Sequence, residues 1–375
     1  MLKGINLTLM IGPVVPLPVP REVLDALTSV TVTVASGDTA SGFELQFTLS
    51  HRSPLQTLFL LAGGAMPPIL RVVIVATMNS TPQVLMDGVV GTVDVVPGAS
   101  GDSVLTVKGS DLTAVMGFID FSGLPYPAMP TFARVALILA KYAVLGIVPL
   151  VIPSIISDIP IPISRIPVHQ GKDLDYVQKL AAEAGYVFYL DPGPVPGASV
   201  AYWGPEIKIG VPQPALNINM DAHTNVEALR FTFDKEHKKL PVIFFYEEIS
   251  KAIIPIPIPD ITPLNPPLGL IPPLPPNIEP LAETVFESPL KAVMMGLAEA
   301  ARSSDAVTAT GSLDVLRYGR ILKSRQLVGV RGAGVAFDGL YYVKSVTHNI
   351  KRGEYKQNFQ LARNGLVSTV PRVAA

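Results

Sequence analysis

The chain has 375 residues, enough for two or three domains, and a formal net charge of −1, which gives no overall reason to expect a nucleic-acid partner. It contains no cysteine, which excludes disulfides and thiolate metal sites and is compatible with a reducing cytoplasm. Its mean hydropathy of +0.41 is high for a soluble monomer and predicts buried contacts between subunits.

The first 125 residues contain strand patterns. Residues 29–35 and 43–49 alternate apolar and polar side chains at period two, and residues 71–77 form a more continuous apolar run. An Asp-Gly turn signal at Asp87 is followed by an apolar strand, a loop and a returning strand. Five or six such strands are enough to curl into a barrel, so we predict a first β-barrel domain over residues 1–125.

Residues 126–215 predict a helix-containing middle domain. Residues 131–145 are apolar at helical spacing. A second helix begins near Asp173 or Asp175, where a carboxylate is able to cap the free N–H groups of the first turn, and it ends at Gly185.

The most apolar stretch, residues 131–157, does not predict a membrane span. It contains Arg134 and Lys141, and its uncharged part covers sixteen residues, fewer than the ~20 that cross a hydrocarbon core. Prolines interrupt the N-terminal apolar run, which also lacks a cleavage pattern, so we expect no secretory signal. We therefore expect synthesis in the cytoplasm and no transmembrane segment.

Residues 216–375 return to strand patterns and predict a second β-barrel domain. A Pro-rich insertion at 253–280 holds ten prolines between positions 255 and 276, which fix φ and remove donors, so we expect it to be extended and outside any sheet. Its spacers are Ile and Leu, which predicts that it packs against other parts of the protein. The pair Ser288-Pro289 begins a predicted helix over 289–302.

The C-terminal part predicts a three-stranded meander. Asp338-Gly339 separates an apolar run at 335–337 from a strand at 340–350, and a second turn lies around Gly353. The strand after that turn alternates apolar and polar residues, which predicts one packed and one polar face. Because the Asp-Gly signal occurs here and at Asp87, we interpret the two segments as related β-units, although meanders of this kind are common in antiparallel proteins generally.

Charge is distributed unevenly along the chain. From residue 315 to the end there are eleven Lys or Arg and two acidic residues, a net charge of +9 against −10 for the rest. Such asymmetry predicts a charge-steered contact surface, although the solvated exterior of a barrel has the same pattern. Nucleic-acid binding would also need aromatic platforms, and Tyr318 alone lies among these basic residues, so no nucleic acid is required. The candidate protein-interface residues are Arg317, Arg320, Lys323, Arg325 and Arg331.

No catalytic, cofactor or metal site is predicted. The histidines follow no metal-ligand spacing, and neither a nucleophile elbow nor a phosphate loop is present. The carboxylates of Asp173 and Asp175 are explained by helix capping. The five histidines are His51, His169, His223, His237 and His348.

Several segments, in this order, resemble the late control gene D family, the baseplate hub proteins of contractile phage tails. They are also similar to the hub portion of type VI secretion spike proteins. The segments are DGVVGTVDVV with LTVKGSDL (87–112), GKDLDYVQKL to GPVPG (171–197), AYWGPEIKIG (201–210) and the C-terminal run. Within that run, RYG, VRGAG, DGLYYV and RGEYKQNF most resemble the version in extracellular, phage-tail-like contractile injection systems.

The resemblance covers roughly residues 6–366 and implies an α+β, mainly β fold. It implies two related, tube-like β-barrel domains with a helix-bearing middle domain, assembled as a trimeric pseudo-six-fold ring. Such a ring is a structural, non-enzymatic symmetry adaptor that joins a six-fold inner tube to a three-fold spike within a phage-tail-like particle. The implied partners are two further copies of the chain, the inner tube protein, other baseplate components and a spike expected to be a separate polypeptide, since the chain stops soon after 366.

Two functions of other classes are alternatives. A cell-wall-degrading tail enzyme would need a cleft with convergent carboxylates, which the sequence does not indicate. A β-sandwich module for adhesion or carbohydrate binding would need surface aromatic residues, and aromatics make up only 7% of the chain.

Overall fold

The computed structural model confirms the predicted α+β, mainly β fold class. It describes residues 5–36, 40–49, 69–97, 103–154, 166–247, 251–259 and 266–370, together with Leu55 and Phe59.

The chain is described below as a first β segment (residues up to 125), a middle segment (126–212) and a second β segment (from 213). The first β segment contributes seven strands and one short helix to the described structure. Strands β3 and β4 bury every second residue, as their alternating sequence predicts. The elements are β1 (Ile5–Gly12), β2 (Leu17–Pro18), α1 (Arg21–Ala26), β3 (Leu27–Ala35), β4 (Gly42–Leu49), β5 (Arg71–Met78), β6 (Thr81–Pro97) and β7 (Ser103–Asp111).

The turn predicted at Asp87-Gly88 is wrong, because β6 runs through it without interruption. Asp87 is buried and forms an ion pair with Arg71 on β5, and Gly88 lies where a Cβ atom would come within 2.2 Å of the Ser110 carbonyl oxygen. The Asp-Gly pairs at Asp87 and Asp338 therefore occupy different structural positions.

The middle segment packs helices against a three-stranded sheet, in the order β8-β10-β9. The helix predicted over 131–145 ends earlier, at Ala140, and a single 3-10 turn, Ala143–Leu145, follows it. None of the described helices is long and apolar enough to cross a membrane. The elements are α2 (Thr131–Ala140), β8 (Ile147–Val151), α3 (Asp173–Ala184), β9 (Val187–Pro192) and β10 (Ser199–Gly204).

The second β segment contains eleven described strands and two helices. The helix predicted over 289–302 is observed as α4, and the Ser288 hydroxyl caps it by accepting from the Lys291 N–H. The elements are β11 (Gln213–Asn217), β12 (Ala228–Phe233), β13 (Lys239–Glu247), β14 (Ala252–Pro257), β15 (Gly269–Ile271), β16 (Asn277–Leu281), α4 (Pro289–Arg302), β17 (Val307–Asp314), α5 (Val315–Tyr318), β18 (Leu327–Arg331), β19 (Gly339–Lys351), β20 (Glu354–Arg363) and β21 (Leu366–Ser368).

Two expectations for this segment are corrected. The partner of β19 in the hairpin is β18, and residues 335–337 form the turn, because the Asp338 carboxylate accepts from the Ala333 N–H and closes the loop. The Pro-rich insertion does enter sheets, since β14 pairs with β13 and β15 pairs with β21. In the order β14-β13-β16, β14 lies at an edge, where a missing proline N–H is tolerated. Positions 260–265 of the insertion lie outside the described residues.

One 13-stranded sheet contains strands of both β segments, joined where β3 pairs with β19. Its main path has the order β12-β17-β20-β19-β3-β4-β7-β6-β5-β1-β2, and β18 and β11 branch from β19. Below it lies one hydrophobic core with residues from both segments, among them Phe47, Ile74, Tyr341 and Leu361. A second core, around Trp203, lies mainly in the middle segment and also includes Val89 of β6. The domain boundaries at 125 and 215 stay predictions.

Candidate functional site: interaction surfaces

The sheet that spans both β segments carries one continuous polar side, here called the polar face. Residues paired across the strands share a face, so the registers connect Thr310 to Gln360 and Thr347 to Thr33. The hydroxyls of Thr33 and Thr347 lie 3.2 Å apart across the junction of the two segments. The polar face comprises Arg230, Thr310, Ser312, Ser345, Thr347, Asn358, Gln360, Ser29, Thr31, Thr33, Glu44, Gln46, Thr106, Lys108, Thr92 and Asp94.

Charges on the polar face are few. Lys108 lies 4.0 Å from the carboxylates of both Glu44 and Asp94. Most other side chains are short hydroxyls or amides, and the alternate residues on the same strands fill the core. The polar face is therefore a broad, shallow and nearly neutral surface that is exposed to solvent. A depression of about 490 Å³ on it is lined by Arg230, Thr310, Thr347 and Gln360, among others.

Three of the predicted interface residues are exposed. Arg317 lies on α5, whose N-terminus is capped by Asp314, and Arg320 and Lys323 lie in the connection that follows. The Lys323 backbone is held by Gln213, which accepts from its N–H at 2.8 Å and donates to its carbonyl at 2.9 Å. Their role as a protein interface stays a prediction.

Arg325 and Arg331 lie apart from this exposed group. The Arg325 side chain is 5% exposed and donates to the carbonyls of Leu190 and Ala35, at 3.2 and 2.6 Å. Its guanidinium also stacks on Tyr189, 3.8 Å from the ring centroid. Arg325 therefore connects the middle segment to β3. Arg331 ends β18, and its carbonyl accepts from the Ile218 N–H.

A buried ionic cluster, which the sequence does not indicate, lies at another contact between segments. Lys208 is 3% exposed and lies 2.7 Å from the Asp305 carboxylate, and Lys344 lies 2.9 Å from the same group. Burial opposes ionisation of Asp305, but the two ammonium groups outweigh it and hold its pKa well below the usual range. Because each partner is distant in sequence, no local pattern reveals the cluster.

The predicted cap at Asp173 or Asp175 is wrong, since Lys172 is the N-cap and no side chain caps α3. The Asp173 carboxylate is fully buried, accepts from the Tyr142 hydroxyl at 2.6 Å and pairs with Lys141 at 2.5 Å. His169 lies next to it, and burial lowers the pKa of His169. The side chains of His169 and Asp173 are both 0% exposed, which leaves no approach for a substrate.

Within the described ranges no three His, Asp or Glu side chains lie together as a possible metal site. His169 and His348 are both buried, and His51 lies outside the described residues. That the histidines are ordinary structural residues stays a prediction.

Apolar side chains are exposed on two edge strands. On β8, Val148 and Leu150 are 57% and 50% exposed, although β8 belongs to a three-stranded sheet. On β14, Ile253, Ile254 and Ile256 are all exposed. Edge strands with exposed apolar residues attract further chains, and soluble proteins usually avoid them. These two edges are therefore candidate protein contacts.

Comparison with known proteins identifies the fold. No family model and no curated protein matches the sequence. A tail protein from Neisseria meningitidis MC58 has 13% identity and a TM-score of 0.64, covering 97% of this chain and 98% of its own. The 43 kDa tail protein of prophage MuSo2 from Shewanella oneidensis has 14% identity and a TM-score of 0.62, with 96% and 98% covered.

A third structure is an Escherichia coli component of the type VI secretion system described as structurally similar to bacteriophage T4 tail proteins. It has 11% identity and a TM-score of 0.52, with 93% of this chain and 75% of that chain covered. At these identities the likeness establishes the fold, and the fold is that of phage tail proteins. The recognition of a hub-like protein from the sequence is thereby confirmed at the level of the fold.

Proposed function

We propose that the chain is a structural, non-enzymatic hub subunit in the baseplate of a contractile, phage-tail-like injection particle. It acts as a homotrimer that joins the six-fold inner tube to the three-fold spike. The observation that carries the proposal is that the fold of phage tail proteins extends over almost the whole chain.

The polar face fits the wall of a conduit. It continues across both β segments, most of its side chains are hydroxyls or amides, and Lys108 lies near the carboxylates of Glu44 and Asp94. A passing polymer would meet hydroxyl and amide groups that exchange hydrogen bonds with water at little net cost. Such a wall would hold no single cargo tightly.

The apolar edges fit subunit contacts. Val148, Leu150 and the isoleucines of β14 would bury apolar area in an obligate assembly, which typically has more hydrophobic interfaces than a transient complex. A closed ring of three copies uses the same two surfaces three times, so no edge remains open.

The basic residues Arg317, Arg320 and Lys323 supply a second kind of contact. They are exposed and positively charged, and charges at the rim of an interface mainly steer association and register. We assign this surface to docking of another baseplate component that carries an acidic patch.

Native mass spectrometry of the chain, alone and with its spike protein, tests the proposal. We expect a trimer, at least on the spike, and no release of cell-wall fragments in a lytic assay. A chain that stays monomeric with the spike and binds no tube protein would contradict the proposal.

A variant pair makes the test specific to the surface. Val148→Glu together with Leu150→Glu should abolish the trimer and leave the subunit folded, because both positions are solvent-exposed in the monomer. The matched control is Val335→Glu, which changes an 81% exposed residue in the turn before β19 and should leave the trimer intact. An intact trimer in the double variant would exclude β8 from the interface.

A further inference from the structure

A half-open cavity of about 410 Å³ lies in the middle segment, apart from the polar face. Its walls come from α2, the segment 166–170, α3 and the N-terminal part of α4. The size is within the range of small-ligand sites in proteins. The side chains that decide its chemistry are Arg134, Tyr176, Lys179, Glu183, Glu287 and Lys291.

Arg134 is the deepest charged group of the wall, at 6% exposure. Its Nη1 donates to the Tyr176 hydroxyl at 2.6 Å, and its Nη2 donates to the Thr131 hydroxyl at 2.9 Å. Its Nε has no hydrogen-bond partner, and no carboxylate of the described residues lies within ion-pair distance of it. A buried cation served only by neutral hydroxyls is costly, because burial removes its hydration without supplying a counter-charge.

Two other buried arginines of the chain have a carboxylate partner. Arg71 forms a two-pronged pair with Asp87, and Arg325 has the Asp191 carboxylate at 3.2 Å. Arg363 has no ion pair among the described residues and, like Arg134, an Nε without a hydrogen bond, but it donates to two backbone carbonyls, those of Asp338 and Ala336, and its guanidinium stacks on Tyr341. Arg134 thus differs from these three in the kind of acceptor that it contacts.

Tyr176 adds a second unsatisfied donor at the same place. Its hydroxyl accepts from Arg134, and a guanidinium is able only to donate, so the hydroxyl proton must find another acceptor. Tyr176 is 4% exposed, and no acceptor for that proton occurs in the part of the chain that the structure describes. The wall therefore presents guanidinium N–H and phenol O–H donors with no matching acceptor.

The charged residues at the mouth of the cavity restrict which anion is able to accept hydrogen bonds from Arg134 and Tyr176. Lys179 donates to the Gln170 amide oxygen and adds a positive charge without an acidic partner among the described residues. Lys291 pairs with Glu287 at 2.7 Å and approaches Glu183 at 4.0 Å. Two rim carboxylates would repel a group such as phosphate that concentrates two charges on one centre, whereas each carboxylate carries a single charge and matches the planar fork of a guanidinium.

We propose that this cavity binds a carboxylate, held by Arg134 and Tyr176 at the bottom and by Lys179 at the rim. The site is independent of the assembly proposed above. The carboxylate belongs either to an acidic peptide segment or to a small free dicarboxylate, which share this chemistry. The full chain is tested by calorimetry and thermal shift at low salt with tetraglutamate, succinate and, as the uncharged control, tetraglutamine.

We expect tetraglutamate or succinate to bind and raise the melting temperature, and tetraglutamine to do neither. Arg134→Gln should weaken binding by about tenfold or more, and Tyr176→Phe severalfold, because charged hydrogen bonds contribute more than neutral ones. Arg21→Gln removes an exposed arginine on α1 that has no assigned contact role, and this variant should bind as the wild type does. Binding of tetraglutamate alone identifies a peptide, and equal binding of succinate identifies a small molecule.

The unliganded Arg134→Gln protein should be at least as stable as the wild type, because an uncompensated buried charge is removed. If the variant does not fold, the Tyr176→Phe result decides in its place. The proposal is overturned if neither anionic probe binds, if binding is unchanged in Arg134→Gln or Tyr176→Phe, or if tetraglutamine binds equally well.

Discussion

The ion pair between Arg71 and Asp87 should be the most strongly coupled pair in the first β segment. Arg71 donates from Nε and Nη2 to the two carboxylate oxygens at 2.7 Å each, and both residues are 2% exposed. The guanidinium also donates to the carbonyls of Val14 and Gly197, at 3.1 and 2.9 Å. The pair therefore connects β5 and β6 to the loop after β1 and to the middle segment.

Removing one partner leaves a buried charge behind. Asp87→Leu leaves the guanidinium with two carbonyls, and Arg71→Met leaves the carboxylate with the Ser199 hydroxyl at 3.4 Å. Each change should lower the free energy of unfolding by about 3–5 kcal/mol. The double variant buries no charge and loses mainly the two hydrogen bonds to carbonyls, so it should lose less than the sum of the single variants by about 3 kcal/mol or more.

Urea unfolding of the wild type and the three variants at neutral pH measures this coupling as a double-mutant cycle. The exposed pair Lys108–Glu44, at 4.0 Å, is the matched control and should show a coupling below about 1 kcal/mol that salt reduces further. Additive losses for Arg71→Met and Asp87→Leu would refute the reasoning, since the two charges would then not depend on each other.

Three further predictions concern stability and packing. Burial lowers the pKa of His348 to about 3, against 6.5 in the unfolded chain, so only the unfolded state gains this proton between those values. The free energy of unfolding should therefore decrease as the pH is lowered from about 6 to 3. The variant His348→Gln keeps an acceptor for the Tyr355 hydroxyl. In urea titrations it should reduce the dependence of the unfolding free energy on pH by up to about 1.4 kcal/mol per pH unit. Arg325→Lys should lower the free energy of unfolding by about 1–3 kcal/mol, measured by thermal unfolding, because lysine replaces neither the contact with the Tyr189 ring nor the forked donors of the guanidinium. An unchanged melting temperature together with weakened assembly would instead identify Arg325 as an interface residue. Gly296→Val should cost about 1–3 kcal/mol, because a Cβ atom there lies 2.7 Å from the Ile258 side chain, and an unchanged urea midpoint would contradict this packing.

Local patterns in the sequence predict the elements whose structure depends on near neighbours. The alternation in 29–35 and 43–49 reports which side of a strand meets the core, and β3 and β4 follow it. Ser288-Pro289 begins α4, because the hydroxyl cap and the fixed φ act within one helical turn. Gly185 ends α3 in the left-handed conformation, as its position predicts.

Long-range partners override these local signals. Asp87-Gly88 has the composition of a tight turn, yet Arg71 on the neighbouring strand pairs with the carboxylate and the chain continues straight. Asp173 has the position of a helix cap, yet Lys141 and Tyr142 bind it from another helix and its C-terminal extension. The two members of such a pair are far apart in the sequence, so a short local pattern does not reveal the pairing.

The same limit applies to the candidate surfaces. In the sequence, Arg325 and Arg317 are grouped by their charge. The fold separates them, because Arg325 contacts residues of β3 and β9. The polar face was not predictable as one surface, because its continuity depends on the register between β3 and β19. Its alternating polar residues are visible in each strand separately.

The register between β3 and β19 joins the two β segments into one continuous sheet. β3 and β19 pair over seven residues each, from Ser29 opposite Lys351 to Ala35 opposite Ser345. A slip by one residue would bring the buried Val34 and Val346 to the polar face, so the hydrophobic core fixes the register strongly. In the proposed trimer, the relation between the two β segments of a subunit is thus set by backbone hydrogen bonds inside the chain. Only the contacts between subunits would then depend on side-chain complementarity, which is why the apolar edges at β8 and β14, rather than the polar face, should be most sensitive to substitution in assembly assays.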